Sequence, residues 1–119
     1  MSAENFDLEE RTAKFGENVI EFCKTVEKNA ITNSLISQLV RSATSVGANY
    51  MEANGASSKK DFRNKIHICK KEIQETKHWL RMISKADENK KDFARGLWNE
   101  AQELTLIFGK ISSTLNKEK

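Results

Sequence analysis

The sequence predicts an all-α protein, an antiparallel up-down-up-down four-helix bundle that forms one domain over residues 1–119. Three observations lead to this prediction. The chain contains no proline and only five glycines, whereas folds built from strands and turns need such residues at many places. Apolar residues recur in alternating steps of three and four, the spacing of one helix face. Short polar segments divide this pattern into four stretches, as expected for helices that pack against their neighbours in sequence.

The first helix is predicted over residues 7–28. Asp7 stands where a cap is expected, and Glu9 and Glu10 follow in the first turn, where negative charge interacts favourably with the helix dipole. The apolar face consists of Leu8, Phe15, Val19, Phe22 and Val26.

The second helix is predicted over residues 33–54, with Thr32, Asn33 or Ser34 as its cap and Asn54-Gly55 as its end. It carries two stripes at helical spacing. The core stripe contains Leu35, Leu39, Ala43, Val46, Tyr50 and Ala53. The polar stripe contains Gln38, Ser42, Ser45, Asn49 and Glu52. A mid-helix glycine costs up to about 1 kcal/mol relative to alanine, so Gly47 predicts a close approach of another helix.

The third and fourth helices are predicted over residues 58–86 and 90–115, with Ser57 or Ser58 as the cap of the third and a frayed end at residues 116–119. The core stripe of the third contains Phe62, Ile66, Cys69, Ile73, Thr76, Leu80 and Ile83. That of the fourth contains Phe93, Leu97, Ala101, Leu104, Phe108, Ile111 and Leu115. Trp79 and Trp98 fall beside these stripes. The additional apolar surface is compatible with oligomerisation and equally with a wide core face.

Composition narrows the class of protein. Hydrophobic residues make up 38% and charged residues 31% of the chain, as in globular proteins rather than disordered ones. No apolar run approaches 18 residues and the N-terminus is acidic, so we expect a cytoplasmic protein without a membrane partner. Cys23 and Cys69 lie within apolar helical patterns and are expected to be free, buried thiols; a disulfide between them is the less favoured alternative.

An enzymatic function finds little support in the sequence. His67 and His78 are separated by eleven positions, roughly 16 Å along a helix, which is too far for one metal ion. Glu75 and His78 have the Glu-x-x-His spacing of di-iron bundles, but a second copy is needed and the sequence has none. No nucleophile motif or phosphate-binding loop accompanies the carboxylates. We therefore expect no catalytic residues, no metal and no cofactor.

Basic residues are concentrated in the third helix. Residues 59–85 contain nine Lys/Arg and three acidic residues, while residues 1–29 contain four Lys/Arg and seven acidic residues. The side opposite the core, about 37 Å long, carries Lys60, Arg63, His67, Lys70, Lys71, Lys77, His78, Arg81 and Lys85. The ordinary interpretation of such a row is a solvated helix face. The alternative is a surface that neutralises nucleic-acid phosphates in a salt-dependent manner, although no aromatic residues interleave on that side.

The polar stripe of the second helix also has two interpretations. It is either an exposed side or a hydrogen-bonded seam in which Arg41, Ser45 or Asn49 meets Glu72 or Glu75 of the third helix. Small residues beside the stripe favour the seam, because they allow close approach. Buried polar groups of this kind are costly unless satisfied, and they are best known for fixing register or partner choice.

The stretch from Gln38 to Ala53, QLVRSATSVGANYMEA, is similar to the signature of the bacterial four-helix-bundle family named for 23S rRNA intervening sequences. In that signature an Arg-(Ser/Ala)-x-x-Ser run leads to Asn-x-x-Glu, followed by Ser-x-x-(Asp/Glu)-Phe and a third helix with Glu before Trp-Leu. The matching family positions here are Gln38, Arg41, Ser42, Ser45, Asn49, Glu52, Glu72 and Trp79. Two departures exist. This chain has Asn49-Tyr50-Met51-Glu52-Ala53 where the family commonly has Asn-Ile-Ala-Glu-Gly, and Cys69-Lys70-Lys71 where the family commonly has small residues.

The resemblance implies a ring-like homopentamer. It also implies a relation to the accessory proteins of diversity-generating retroelements, which bind nucleic acid and a reverse transcriptase. The family name records gene location and not a demonstrated activity.

The sequence thus supports two hypotheses about function. In the first, the protein is a non-enzymatic oligomer that binds RNA or DNA through Lys60, Arg63, Lys70, Lys71, Lys77, Arg81 and Lys85. The alternative is a structural or protein-interaction module without a nucleic-acid role.

Overall fold

The computed structural model describes residues 3–117, and side chains from residue 8 onward. These residues form four α-helices and one short 3₁₀ turn, Glu88–Lys90, and contain no strand. The helices are α1 (Ala3–Thr25), α2 (Ala30–Asn54), α3 (Lys59–Ala86) and α4 (Lys91–Lys117). The all-α prediction with four helices is confirmed.

The predicted limits of the first helix, residues 7–28, are wrong at both ends. Because α1 begins at Ala3, Asp7 lies inside the helix rather than at its cap, and its side chain falls outside the described ones. The helix ends at Thr25, and Lys28 binds two backbone carbonyls at this end. Lys28 Nζ donates to Cys23 O at 2.7 Å and to Val26 O at 2.5 Å, as cations near helix C-termini do.

The second helix begins earlier than predicted because its cap is Asn29, and not Thr32, Asn33 or Ser34. Asn29 Oδ1 accepts from the backbone N–H groups of Ile31 at 3.0 Å and Thr32 at 2.9 Å. In return, Thr32 Oγ1 accepts from Asn29 N at 3.0 Å. This reciprocal arrangement is a capping box. The helix ends before Gly55, as predicted.

The third helix is capped by Ser58, whose Oγ accepts from Asp61 N at 3.0 Å, in agreement with the prediction. The 3₁₀ turn at Glu88–Lys90 precedes α4, which begins at Lys91 rather than at residue 90. The frayed end predicted for residues 116–119 is wrong for residues 116 and 117, which are helical. Residues 118 and 119 lie outside the described part of the chain.

All four helices contribute to one core. Each helix packs against the next in sequence, and α1 also packs against α4. Aromatic rings join helices across the core: Phe22 meets Phe93 edge-on, with ring centroids 5.0 Å apart, and Tyr50 lies 5.9 Å from Phe108. The described part of the chain measures 47 × 23 × 20 Å.

Gly47 lies where α1 and α2 approach each other. A Cβ atom at this position would lie 3.4 Å from Thr12 O and 3.5 Å from Ala13 N, both backbone atoms of α1. The close packing predicted from this glycine is therefore present, and its partner is α1.

Both cysteines are free and buried. Burial raises the pKa of the Cys23 thiol to about 11 and that of the Cys69 thiol to about 12. Because the thiolate is the reactive form, both groups act as core residues. In the part of the chain that the structure describes, no helix is both long and apolar enough to cross a membrane.

Candidate nucleic-acid interface

The row of Lys and Arg residues on α3 lies on the outward side of the helix. The positions that pack into the core, such as Ile66, Ile73 and Leu80, are at most 1% exposed, and helical periodicity turns the basic positions away from them. Seven cations make up this basic face. Four of them are exposed, namely Lys60, Lys71, Arg81 and Lys85. The other three are half-buried, namely Arg63, Lys70 and Lys77.

None of these seven side chains forms an ion pair with a described carboxylate. Some cations elsewhere in the molecule form ion pairs with described carboxylates, whereas others, such as Lys14 and Lys110, do not. Arg11 on α1 binds Glu100 of α4 through two contacts, at 2.7 and 2.8 Å, and Lys65 on the α2 side of α3 binds Glu52 at 2.8 Å. The basic face thus concentrates seven cations that form no ion pair with a carboxylate of residues 8–117, and such a concentration of positive charge attracts polyanions.

Two side chains of the basic face have a distinct environment. Lys77 Nζ donates to Gln102 Oε1 of α4 at 2.6 Å and lies 5.2 Å from the centroid of the Trp98 ring. Arg63 Nε is buried and has no hydrogen-bond partner among the described residues. A buried donor without a partner is unfavourable.

Helix α4 extends the basic face, a contribution that was not predicted from the sequence. A groove of about 630 Å³ runs between α3 and α4, and its lining includes Arg81 together with Lys91, Arg95 and Trp98. In the sequence, the spacing of Lys91, Arg95 and Trp98 in steps of four and three indicates that they share one side of a helix. Their position beside Arg81 follows only from the packing of α3 against α4.

The polar stripe of the second helix meets α3 through its first half. Arg41 Nη1 donates to Glu72 Oε2 at 2.8 Å, and Arg41 Nη2 donates to Glu75. Trp79 Nε1 donates to Glu75 Oε2 at 3.0 Å. These hydrogen bonds lower the pKa of Glu75, that from Trp79 first and that from Arg41 next. The hydrogen bond to Glu72 raises the pKa of Arg41.

Ser42 lies beneath this network and is fully buried. Its hydroxyl donates to Leu39 O at 3.2 Å, and Thr76 Oγ1 of α3 lies 2.9 Å from Ser42 Oγ. A polar seam between α2 and α3 thus consists of Arg41 and Ser42 from α2 and Glu72, Glu75 and Thr76 from α3.

The rest of the stripe is more exposed. Gln38 is exposed and accepts a long 3.5 Å hydrogen bond from Arg41 Nε. Asn49 Nδ2 donates to O and Oγ of Ser45, one turn earlier in α2, at 2.8 and 3.0 Å. Glu52 reaches Lys65 of α3, as described above. Within the stripe, Ser42 and Glu52 therefore contact α3, Gln38 is bonded to Arg41 of its own helix, and Ser45 and Asn49 are bonded to each other.

Within the described residues, no group of three or more His, Cys, Asp or Glu side chains is arranged to hold a metal ion. His67 and His78 are both exposed. His78 packs edge-on against Trp79, with ring centroids 4.8 Å apart.

Comparison with known proteins identifies a family and a similar solved structure. Residues 4–110 match the family described as 23S rRNA-intervening sequence protein. The chain is also similar to the crystal structure of a protein of unknown function, assigned to the S23 ribosomal protein family, from Bacteroides thetaiotaomicron. The TM-score is 0.82 at 25% sequence identity, over 92% of this chain and 97% of that chain. No curated protein matches.

Proposed function

Because this chain belongs to the 23S rRNA-intervening sequence protein family, we propose a function in binding rather than in catalysis: the basic face of α3 binds the phosphates of RNA or DNA. The observation that supports this proposal is the absence of ion pairs from seven cations along one helix side, within the part of the chain described. Lysines elsewhere, such as Lys14 and Lys110, are also unpaired among the described residues, so the support comes from the concentration of seven such cations along one helix side.

The charge pattern fits a sequence-independent mode of binding. Each cation that neutralises a phosphate releases condensed counterions, and this release drives association without reading bases. The outward side of α3 is about 37 Å long, enough to follow several successive phosphates at about 3.4 Å per nucleotide of one strand. Exposed Lys and Arg side chains can adjust to a backbone of either RNA or DNA.

Binding measured as a function of salt concentration tests this proposal. If five to seven cations contact phosphates, the logarithm of the affinity should fall with the logarithm of the salt concentration with a slope of about −4 to −6. An affinity that does not change with salt would refute the proposal.

The second candidate function, a structural or protein-interaction module, is favoured by a different observation. Two exposed apolar side chains line one groove between α1 and α2: Met51, at 57%, and Ile20, at 39%. Exposed apolar side chains are available for contact with another protein chain. A purified protein that retains no nucleic acid at physiological salt, and that binds a protein partner, would support this function instead.

We further infer that the helices alternate in direction and that the chain assembles into a ring-like homopentamer. Alternation is supported by two contacts near helix ends. Asn54, at the end of α2, donates to Glu9, near the start of α1, at 2.9 Å. Glu27 N, just after α1, donates to Asp87, just after α3, at 3.3 Å.

The pentamer is supported by the family resemblance and by the exposed apolar side chains. Light scattering should give five times the 13.6 kDa of one chain; the mass of a single chain would contradict the assembly.

A reverse transcriptase partner, implied by the same resemblance, stays a prediction, as does the cytoplasmic location. A pull-down of the protein with a reverse transcriptase encoded in the same genomic region would test the first.

A further inference from the structure

We infer that the groove between α3 and α4 binds single-stranded nucleic acid, with an unpaired base stacked on Trp98 and its phosphates held by the surrounding cations. This inference rests on the proposed function and specifies the class of nucleic acid. It depends on residues of α4 that lie outside the basic face of α3.

The groove combines the three kinds of group that such a ligand requires. Arg81, Lys91 and Arg95 supply positive charge, Ser84 and Asn99 supply hydrogen-bonding groups, and Trp98 supplies an aromatic surface. The groove is open to solvent and has a volume of about 630 Å³, so a strand can lie along it without entering a closed cavity.

Trp98 is placed for contact with a ligand rather than for packing alone. It is 38% exposed, which is high for a residue type that is usually well buried. Lys77 Nζ lies over the ring, 5.2 Å from its centroid, and is bound by Gln102. A base that stacks on the part of the indole that Lys77 leaves uncovered would bring its phosphate within reach of the ammonium group.

Two cations of the groove, Lys91 and Arg95, form exposed ion pairs that a phosphate can replace. Lys91 pairs with Glu88 at 3.4 Å and Arg95 with Asp92 at 3.6 Å, each three positions away on the exposed surface. The Asp92 side chain is 97% exposed. Exposed ion pairs of this kind are weak, so a phosphate can replace the carboxylate without a large cost. Arg81 has no ion pair among the described residues, and it faces the groove from α3.

An aromatic platform favours single strands because the bases of a duplex already stack on one another. Stacking on a protein side chain is available to unpaired bases, and it tolerates any sequence because every base has a π-face. The basic face alone would bind single and double strands through the same phosphate charges. The groove therefore adds a preference for single strands that the basic face does not provide.

The test compares an oligothymidylate with a duplex of the same length at the same salt concentration. Trp98→Leu should lower the affinity for the oligothymidylate by on the order of tenfold, the loss of one stacked base, and leave the affinity for the duplex unchanged. Trp98→Phe, which keeps a ring, should retain most of the single-strand affinity. Phe93→Leu is the matched control, since Phe93 is another exposed aromatic residue of α4, at 43%, but contacts Phe22 of α1; it should change neither affinity.

A second measurement remains informative if Trp98→Leu does not fold. In the unmodified protein, the oligothymidylate should quench tryptophan fluorescence and the duplex should not. Equal quenching by both ligands, or equal loss of both affinities in Trp98→Leu, would overturn the stacking inference while leaving phosphate binding by α3 intact. Absence of binding to either ligand would overturn the proposed function as well.

Discussion

Loss of the ion pairs of Arg41 should lower the free energy of unfolding by an amount that follows from their burial. The Glu72 side chain is 8% exposed, and its carboxylate is bound by Arg41 at 2.8 Å. Arg41→Met removes this partner and leaves a nearly buried negative charge. Breaking a fully buried pair costs about 3–5 kcal/mol, but the Arg41 side chain is 50% exposed, so water replaces part of the interaction. We therefore expect a loss of about 2 kcal/mol in the free energy of unfolding.

Thermal unfolding followed by circular dichroism measures this loss. Unfolding entropies of globular proteins imply about 0.25 kcal/mol/K for a chain of this length, so the melting temperature should fall by about 8 °C. The control is Lys24→Met, which breaks an exposed pair with Glu21 whose side chains are 66% and 65% exposed. It should change the melting temperature by no more than about 2 °C. If both variants melt alike, the seam between α2 and α3 does not stabilise the fold and the reasoning is refuted.

Three further predictions concern the helices and pH. Gly47→Leu should destabilise the protein by about 2 kcal/mol or more, because the α1 backbone at Thr12 leaves no room for the side chain. Gly96→Ala should instead stabilise it by about 0.5–1 kcal/mol, since the added Cβ meets no neighbouring element within 4 Å. Chemical denaturation measures both changes in the free energy of unfolding. Asn29→Ala removes the capping box of α2 and should cost about 1 kcal/mol by the same method; no change would mean that the cap is dispensable. The pKa of Glu75 is lowered from its usual value of 4.5, so its contribution to stability is present above that pH and is lost as the pH falls through the folded-state pKa. The stability of Glu75→Gln should therefore fall less in acid than that of the unmodified protein. Parallel plots of unfolding free energy against pH for the two proteins would contradict this origin of the shift.

Periodicity was sufficient to predict the helices and most of the core. Residues such as Phe15, Leu39, Ile73 and Leu104 recur at helical spacing, and each is at most 1% exposed. Burial of such side chains is the dominant stabilising term of folding, which is why the pattern identifies the elements reliably.

Helix ends were predicted less well because they depend on individual hydrogen bonds. Asn29, Thr32, Asn33 and Ser34 are all suitable caps by residue type. The choice of Asn29 depends on Thr32 donating to Glu27 O at 2.5 Å while accepting from Asn29 N. At the end of α1, Lys28 likewise reaches back to two carbonyls. Periodicity contains no information about either contact.

The candidate interface was only half visible in the sequence. The basic residues of α3 share one helix and could be found by spacing. Trp98 and Arg95 belong to α4, and their position beside Arg81 is a consequence of tertiary packing. The sequence alone therefore suggested a row of charges without aromatic residues, whereas the structure places a tryptophan at its edge.

Charge reversal on two opposite sides of the molecule tests the central claim most directly. Lys71→Glu/Arg81→Glu changes two exposed cations of the basic face, and Lys14→Glu/Lys24→Glu changes two exposed cations of α1, a helix that packs against α2 and α4. Both double variants change the net charge equally. The quantity to measure is the affinity for nucleic acid at several salt concentrations. The first variant should bind much more weakly, with a salt slope reduced by about two, while the second should bind nearly as the unmodified protein does. Equal affinities of the two variants would contradict the assignment of phosphate binding to α3.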